Sequence, residues 1–130
     1  MSLEHVRLSQ QAKEQLSRLK RWTAIDNWNV LCRWALGVSL REPTPPPAVR
    51  IVTDSSVEMT WKVFAGKYSD TYLALLKQRC HIDGLPTDDD TVAQQFKLHL
   101  HRGIAYLAAD KRLRSITYLV QQSLKEPETR

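Results

Sequence analysis

The chain has 130 residues, 42% hydrophobic and 25% charged, which suits one folded domain and excludes intrinsic disorder. Its longest uncharged run is the ten residues from Ser115 to Leu124, well short of the roughly 20 apolar residues that span a bilayer, and charges from Glu4 to Lys20 leave no apolar core for a signal peptide, so a cytoplasmic protein is expected. Nineteen Lys and Arg against fourteen Asp and Glu give a net charge of +5, which favours an anionic partner without naming one.

The first elements follow from local grammar. His5 to Ser9 alternates polar and apolar residues, the period of a short strand with one buried face. Ser9 is placed to cap a helix reaching about Trp22, with Ala12, Leu16 and Leu19 as its apolar stripe. Turn-prone residues from Thr23 to Asn27 interrupt it, with Asp26 or Asn27 as the next cap. A second helix from about Trp28 to Leu40 turns Val30, Leu31, Trp34, Ala35 and Val38 inward and stops at the prolines from Pro43 to Pro47. Strand, helix, turn and helix in about 40 residues is the layout of a ribbon-helix-helix unit.

The remainder reads as further helices. Val49, Ile51 and Val52 suit a short extended segment, and Val57 to Phe64 a second one. Ser69 or Asp70 is expected to cap a helix that includes Tyr72, Leu76 and Cys80 and ends near Gly84. Leu85 to Asp90 forms a loop whose acidic residues favour the N-terminus of a helix from Thr91 to Ala109. A last helix is expected from Lys111 to Lys125, burying Leu113, Ile116, Leu119, Val120 and Leu124. The fold class is therefore mainly α, one domain over 1–130, with a ribbon-helix-helix-like unit over 1–41 and a helical remainder over 48–130.

Catalytic patterns are missing from the sequence. The four glycines allow no GxGxxG, and Gly66-Lys67 is no phosphate loop, because Trp61 stands where that motif needs glycine and Tyr68 where it needs Ser or Thr. His99 and His101, two apart on a helix, point to opposite faces and do not share a metal, while His5 and His81 have no partner at ligand spacing. Asp88 to Asp90 reads as helix-terminal charge rather than a hard-metal site. Cys32 and Cys80 form no CxxC pair and read as buried thiols, although Arg79 and His81 beside Cys80 leave a reactive thiol as the alternative. No metal or other cofactor is expected, and no enzymatic activity.

A basic stripe stands out instead. At about 100° per residue, Lys13, Ser17, Lys20 and Arg21 share an arc of roughly 100° away from the apolar stripe. Arg18 lies further round, and Arg33 and Arg41 add charge on the second helix. Lys, Arg and an interspersed hydroxyl suit phosphate oxygens, which set affinity without reading sequence.

Specific blocks of residues resemble the DndE family of DNA sulfur modification proteins. They are Val6-Arg7-Leu8-Ser9, Leu16 to Lys20, Trp28 to Leu36, Ser39-Leu40, and His99-Leu100-His101-Arg102-Gly103-Ile104. The resemblance covers nearly the whole chain. It implies work in DNA phosphorothioation, where sulfur replaces a non-bridging phosphate oxygen, beside a cysteine desulfurase, an iron–sulfur protein and an ATPase. It also implies a non-enzymatic, oligomeric subunit that binds duplex DNA, nicked duplex in particular, with cysteines that are not the sulfur carriers.

The expected DNA-binding residues are Arg7, Lys13, Ser17, Arg18, Lys20, Arg21 and Arg33. The expected partners are double-stranded DNA, other proteins of the sulfur-modification complex and further copies of the chain, with a tetramer among the candidate assemblies. Two alternatives stay open: a ribbon-helix-helix transcription regulator reading an operator through Arg7, and a scaffold that docks an acidic protein and never touches DNA.

Overall fold

A computed structural model describes residues 5–110; the expected helix from Lys111 to Lys125 lies outside the described residues. Two short strands, β1 (His5–Arg7) and β2 (Glu58–Thr60), and five α-helices follow in the order β1, α1 (Gln10–Thr23), α2 (Trp28–Arg41), β2, α3 (Trp61–Ala65), α4 (Ser69–Ile82) and α5 (Asp89–Ala109). The mainly helical class with a strand-helix-helix start is as expected.

The long helix α5 is the centre of the packing, set chiefly against α2 and then against α1. Val92, Phe96, Leu100, Ile104 and Leu107 of α5 are buried against Ala12, Leu16 and Leu19 of α1 and Leu31, Cys32, Ala35 and Leu36 of α2. Each set recurs at three- and four-residue spacing, so one face of each helix leaves water. At the α2–α5 crossing a Cβ on Gly103 would overlap the Ala35 carbonyl, so only glycine lets the two backbones approach this closely.

The strand expected at the N-terminus forms, and its partner lies within the same chain. β1 pairs antiparallel with β2, with His5 opposite Thr60, Val6 opposite Met59 and Arg7 opposite Glu58. Beyond the ladder, Leu8 N–H donates to the Val57 carbonyl at 3.2 Å and Ser55 N–H to the Leu8 carbonyl at 3.1 Å.

The extended reading of Val57 to Phe64 holds only as far as Thr60. The Thr60 hydroxyl accepts from Val63 N–H at 3.1 Å and starts α3 there. The turn brings Trp61 and Phe64 onto Phe96, with ring centroids 5.3 and 5.0 Å away, a packing gain that straight continuation would forfeit. No strand forms over Val49 to Val52, which runs as irregular chain. Ser69 and Asp70 do not cap α4. The cap position is Tyr68, at the end of a 3₁₀ turn, and the Ser69 hydroxyl instead accepts from Trp61 Nε1 at 2.9 Å.

Candidate nucleic-acid interface

The expected cap at Ser9 forms, its hydroxyl accepting from Ala12 N–H at 3.0 Å. Two further acceptors close the same helix start: Asp54 Oδ1 takes Gln10 N–H at 3.0 Å, and His101 Nε2 takes Ser9 N–H at 3.1 Å. These protein groups occupy donors that an anion at a helix N-terminus would need, so the backbone at the start of α1 is not an open anion site. The ring of His101 is oriented by its other nitrogen, since Nδ1–H donates to the Lys97 carbonyl at 2.8 Å and Nε2 is thereby the acceptor. Burial lowers the His101 pKa, which suits that neutral ring.

Beyond its cap, α1 buries Ala12, Leu16 and Leu19, which turns the opposite arc outward. Lys13, Ser17 and Lys20 are half-buried along its edge, and Arg18 and Arg21 are exposed. Lys13 Nζ reaches the Ser56 hydroxyl at 2.9 Å, and Lys20 Nζ sits 4.5 Å from the centre of the Trp28 ring. Both contacts tie a lysine head group to the protein without placing an acidic residue against it. Among the described residues no α1 cation is in an ion pair.

The other two expected cations are placed apart from this arc. Arg7 Nη2 donates to Glu58 Oε1 at 2.9 Å and Nη1 to the Ser55 carbonyl at 3.2 Å. His5 also faces Glu58, at 3.6 Å. The outward side of β1 therefore carries its own counter-charge. Arg33 is half-buried on α2, with Nε donating to the Phe64 carbonyl at 2.7 Å at the end of α3.

The block from His99 to Gly103 holds the fold. Arg102 donates from Nε to the Ser39 hydroxyl and from Nη2 to the Ser39 carbonyl, at 2.8 and 2.9 Å, and from Nη1 to the Thr44 carbonyl at 2.8 Å. Arg79 of α4 adds bonds to the Leu40 carbonyl at 2.9 Å and the Thr44 carbonyl at 2.8 Å, with its charge paired to Asp83 at 2.9 Å. Two guanidinium groups thus satisfy the carbonyls where α2 ends and the proline segment begins. Ser39 Oγ, accepting from Arg102, lies 2.8 Å from His99 Nδ1 and can donate to it. His99 Nε2 is buried with no hydrogen-bond partner among the described residues. Burial, then the charges of Arg79 and Arg102, push the His99 pKa down to about 4. Only their distant partners distinguish these groups from a chemical site, so spacing alone gave no signal of their role.

Other candidate chemistry also resolves into structure. Asp88 caps α5, its carboxylate accepting from Thr91 N–H at 3.2 Å and from the Thr91 hydroxyl at 2.6 Å. Both cysteines are buried and free. Burial pushes the Cys32 thiol up to about 12. Cys80 is also raised, by burial and then by Asp83 and Asp88, and its burial speaks against the reactive-thiol alternative. Among the described residues no three His, Cys, Asp or Glu side chains gather as a metal site, and no helix is long and apolar enough to cross a membrane. Open clefts of about 330 and 500 Å³ lie on either side of His101, the larger between the start of α1 and the segment Pro46 to Asp54.

Against known families, residues 5–115 match the family described as DNA sulphur modification protein DndE. The chain belongs to the DndE family. Among solved structures, this DndE-family chain is similar to the DndE of Escherichia coli B7A, described as involved in DNA phosphorothioation modification. The two are 22% identical with a TM-score of 0.68, over 82% of this chain and 98% of that one. A G21/24K mutant of DndE, also described as involved in DNA phosphorothioation, is 20% identical with a TM-score of 0.63 over the same shares. No curated protein matches the chain. At these identities the two structures establish the shared DndE fold.

Proposed function

We propose that this DndE-family protein is a non-catalytic DNA-binding subunit of a phosphorothioation system, engaging duplex DNA through its phosphates. The observation that carries this reading is the α1 arc of Lys13, Ser17, Lys20 and Arg21, with Arg18 beside it and none of these cations in an ion pair with a described residue. Each phosphate neutralised by such a cation releases a condensed counterion, so affinity falls steeply with salt. Arg33 contributes less, because it stands apart from the arc on α2 with its Nε on the Phe64 carbonyl. Arg7 has a lesser part, because Glu58 already holds its charge.

A nicked duplex is the favoured target, since a break lowers the cost of local deformation without demanding base readout. A homo-oligomer, a tetramer among the candidates, would repeat the α1 arc and multiply the phosphate contacts. The cytoplasm, where DNA and the other proteins of the modification complex are found, is the proposed location. An operator-reading role is disfavoured by β1, whose outward His5 and Arg7 both face Glu58.

Fluorescence anisotropy against intact and singly nicked duplexes of one sequence, at several salt concentrations, tests the proposal. Tighter binding to the nicked duplex, with steep salt dependence and indifference to base sequence, is the expected result. No binding to either duplex at low salt would overturn it.

A further inference from the structure

Helix α2 has a second face that the fold leaves uncovered. Leu31, Cys32, Ala35, Leu36 and Ser39 are buried on one side of it. On the other side Val30, Trp34, Gly37 and Arg41 fall within an arc of about 60°, flanked by Arg33 and Val38, at about 100° per residue. Trp34 is 43% exposed and Val30 36%, so these two do not turn inward as expected, because the buried face of α2 centres on Leu31, Cys32, Ala35, Leu36 and Ser39. An open groove of about 350 Å³ runs between Arg33, Trp34, Gly37, Val38 and Arg41.

Gly37 is the telling residue. A glycine inside a helix costs roughly 0.5–1 kcal/mol against alanine, and a Cβ here would meet nothing within 4 Å. Packing within the chain therefore does not require it. On the opposite side of the same helix Gly103 shows what such a gap allows, the close approach of a second helix backbone. The charge is one-sided as well: α2 holds Arg33 and Arg41 and no acidic residue from Trp28 to Arg41. Arg41 is in no ion pair among the described residues.

We infer that the outward face of α2 docks an acidic amphipathic helix of a protein partner, with its backbone crossing at Gly37, its apolar residues on Trp34 and Val30, and its carboxylates toward Arg41. Two other occupants fit less well. A second copy packed antiparallel about Gly37 would set Arg33 of one copy against Arg41 of the other, with no acid between them. Residues 111–130 of the chain itself hold five basic and two acidic residues, the wrong sign for this face. A phosphate backbone would gain nothing from an exposed tryptophan and valine around a glycine.

The probe is a fluorescein-labelled Leu/Ala/Glu amphipathic peptide of about 18 residues, long enough to hold a helix, titrated against the full chain beside a counterpart with Lys for Glu. The acidic peptide should bind at least about tenfold tighter than the basic one. Gly37→Leu and Arg41→Glu should each weaken it about tenfold, Gly37→Leu without lowering the melting temperature. Lys77→Glu, an equal charge change on α4, should have less than about a threefold effect. Equal binding of both peptides, or indifference to Gly37→Leu, would overturn the inference. So would a Gly37→Leu variant that loses duplex DNA binding, which would assign the face to DNA, or one that changes oligomeric mass, which would assign it to a second copy.

Discussion

Gly103 of α5 lies so close to the carbonyl of Ala35 on α2 that no side chain fits between the two helices. The contact is with backbone, which cannot rotate aside, and it lies in the α2–α5 crossing, the most extensive helix–helix packing among the described residues. Gly103→Ala should therefore destabilise the fold by about 2 kcal/mol or more, the upper part of the range for overpacked cores. Ala35→Gly should not rescue it, because the obstructing atoms remain. Urea denaturation of the parent, Gly103→Ala and the double variant checks this, and a Gly103→Ala protein as stable as the parent would contradict the described crossing.

His99 makes stability depend on pH. Its folded pKa of about 4 lies below the ordinary value of 6.5, so the unfolded chain binds the proton more readily between those values. Stability contributed by the neutral buried ring is present above pH 6.5 and is lost as pH falls toward 4. The loss attributable to this group is about 3 kcal/mol. His101, also lowered by burial, adds loss of the same sign. Denaturation midpoints measured from pH 7 to 4 should fall less steeply for His99→Phe than for the parent chain.

Arg102 closes the end of α2 through bonds to both Ser39 oxygen atoms and the Thr44 carbonyl. A lysine has the charge but not the planar fork. Arg102→Lys should cost about 2 kcal/mol, in keeping with hydrogen bonds to charged groups. Hydrogen exchange should quicken at the end of α2 and leave the start of α1 unaffected.

Ala24, which ends α1, has a φ of 60° in the left-handed region that disfavours a side chain. Ala24→Gly should stabilise the protein by about 1 kcal/mol, raising its melting temperature, since glycine reaches this conformation without a Cβ penalty.

Charge reversal at Lys20 and Arg21 tests the proposed DNA surface directly. Losing two phosphate contacts should lower duplex affinity by about tenfold or more and flatten the log–log salt slope by about 2. Arg7→Ala should have a smaller effect, because that guanidinium is already held by Glu58. Equal effects of the two changes would place the DNA on β1 instead.

What could be read from the chain alone was whatever depends on neighbours a few residues away. The Ser9 cap acts on Ala12, Asp88 acts on Thr91, and the apolar stripe of α1 repeats every turn, so each is written locally. The basic arc opposite that stripe follows from the same periodicity. The blocks that resemble DndE were legible as residues, but the work of the His99 to Gly103 block was not.

Tertiary structure decided the rest, because the partners are remote in sequence. Glu58 neutralises Arg7 from 51 residues away, Ser39 meets His99 across 60, and Arg102 reaches the end of α2 across 63. Trp61 leaves the extended path to meet Phe96, a contact that outweighs the alternation of Val57 to Phe64. Local spacing records which groups are present, whereas burial and a distant counter-charge settle which of them remain available to a ligand.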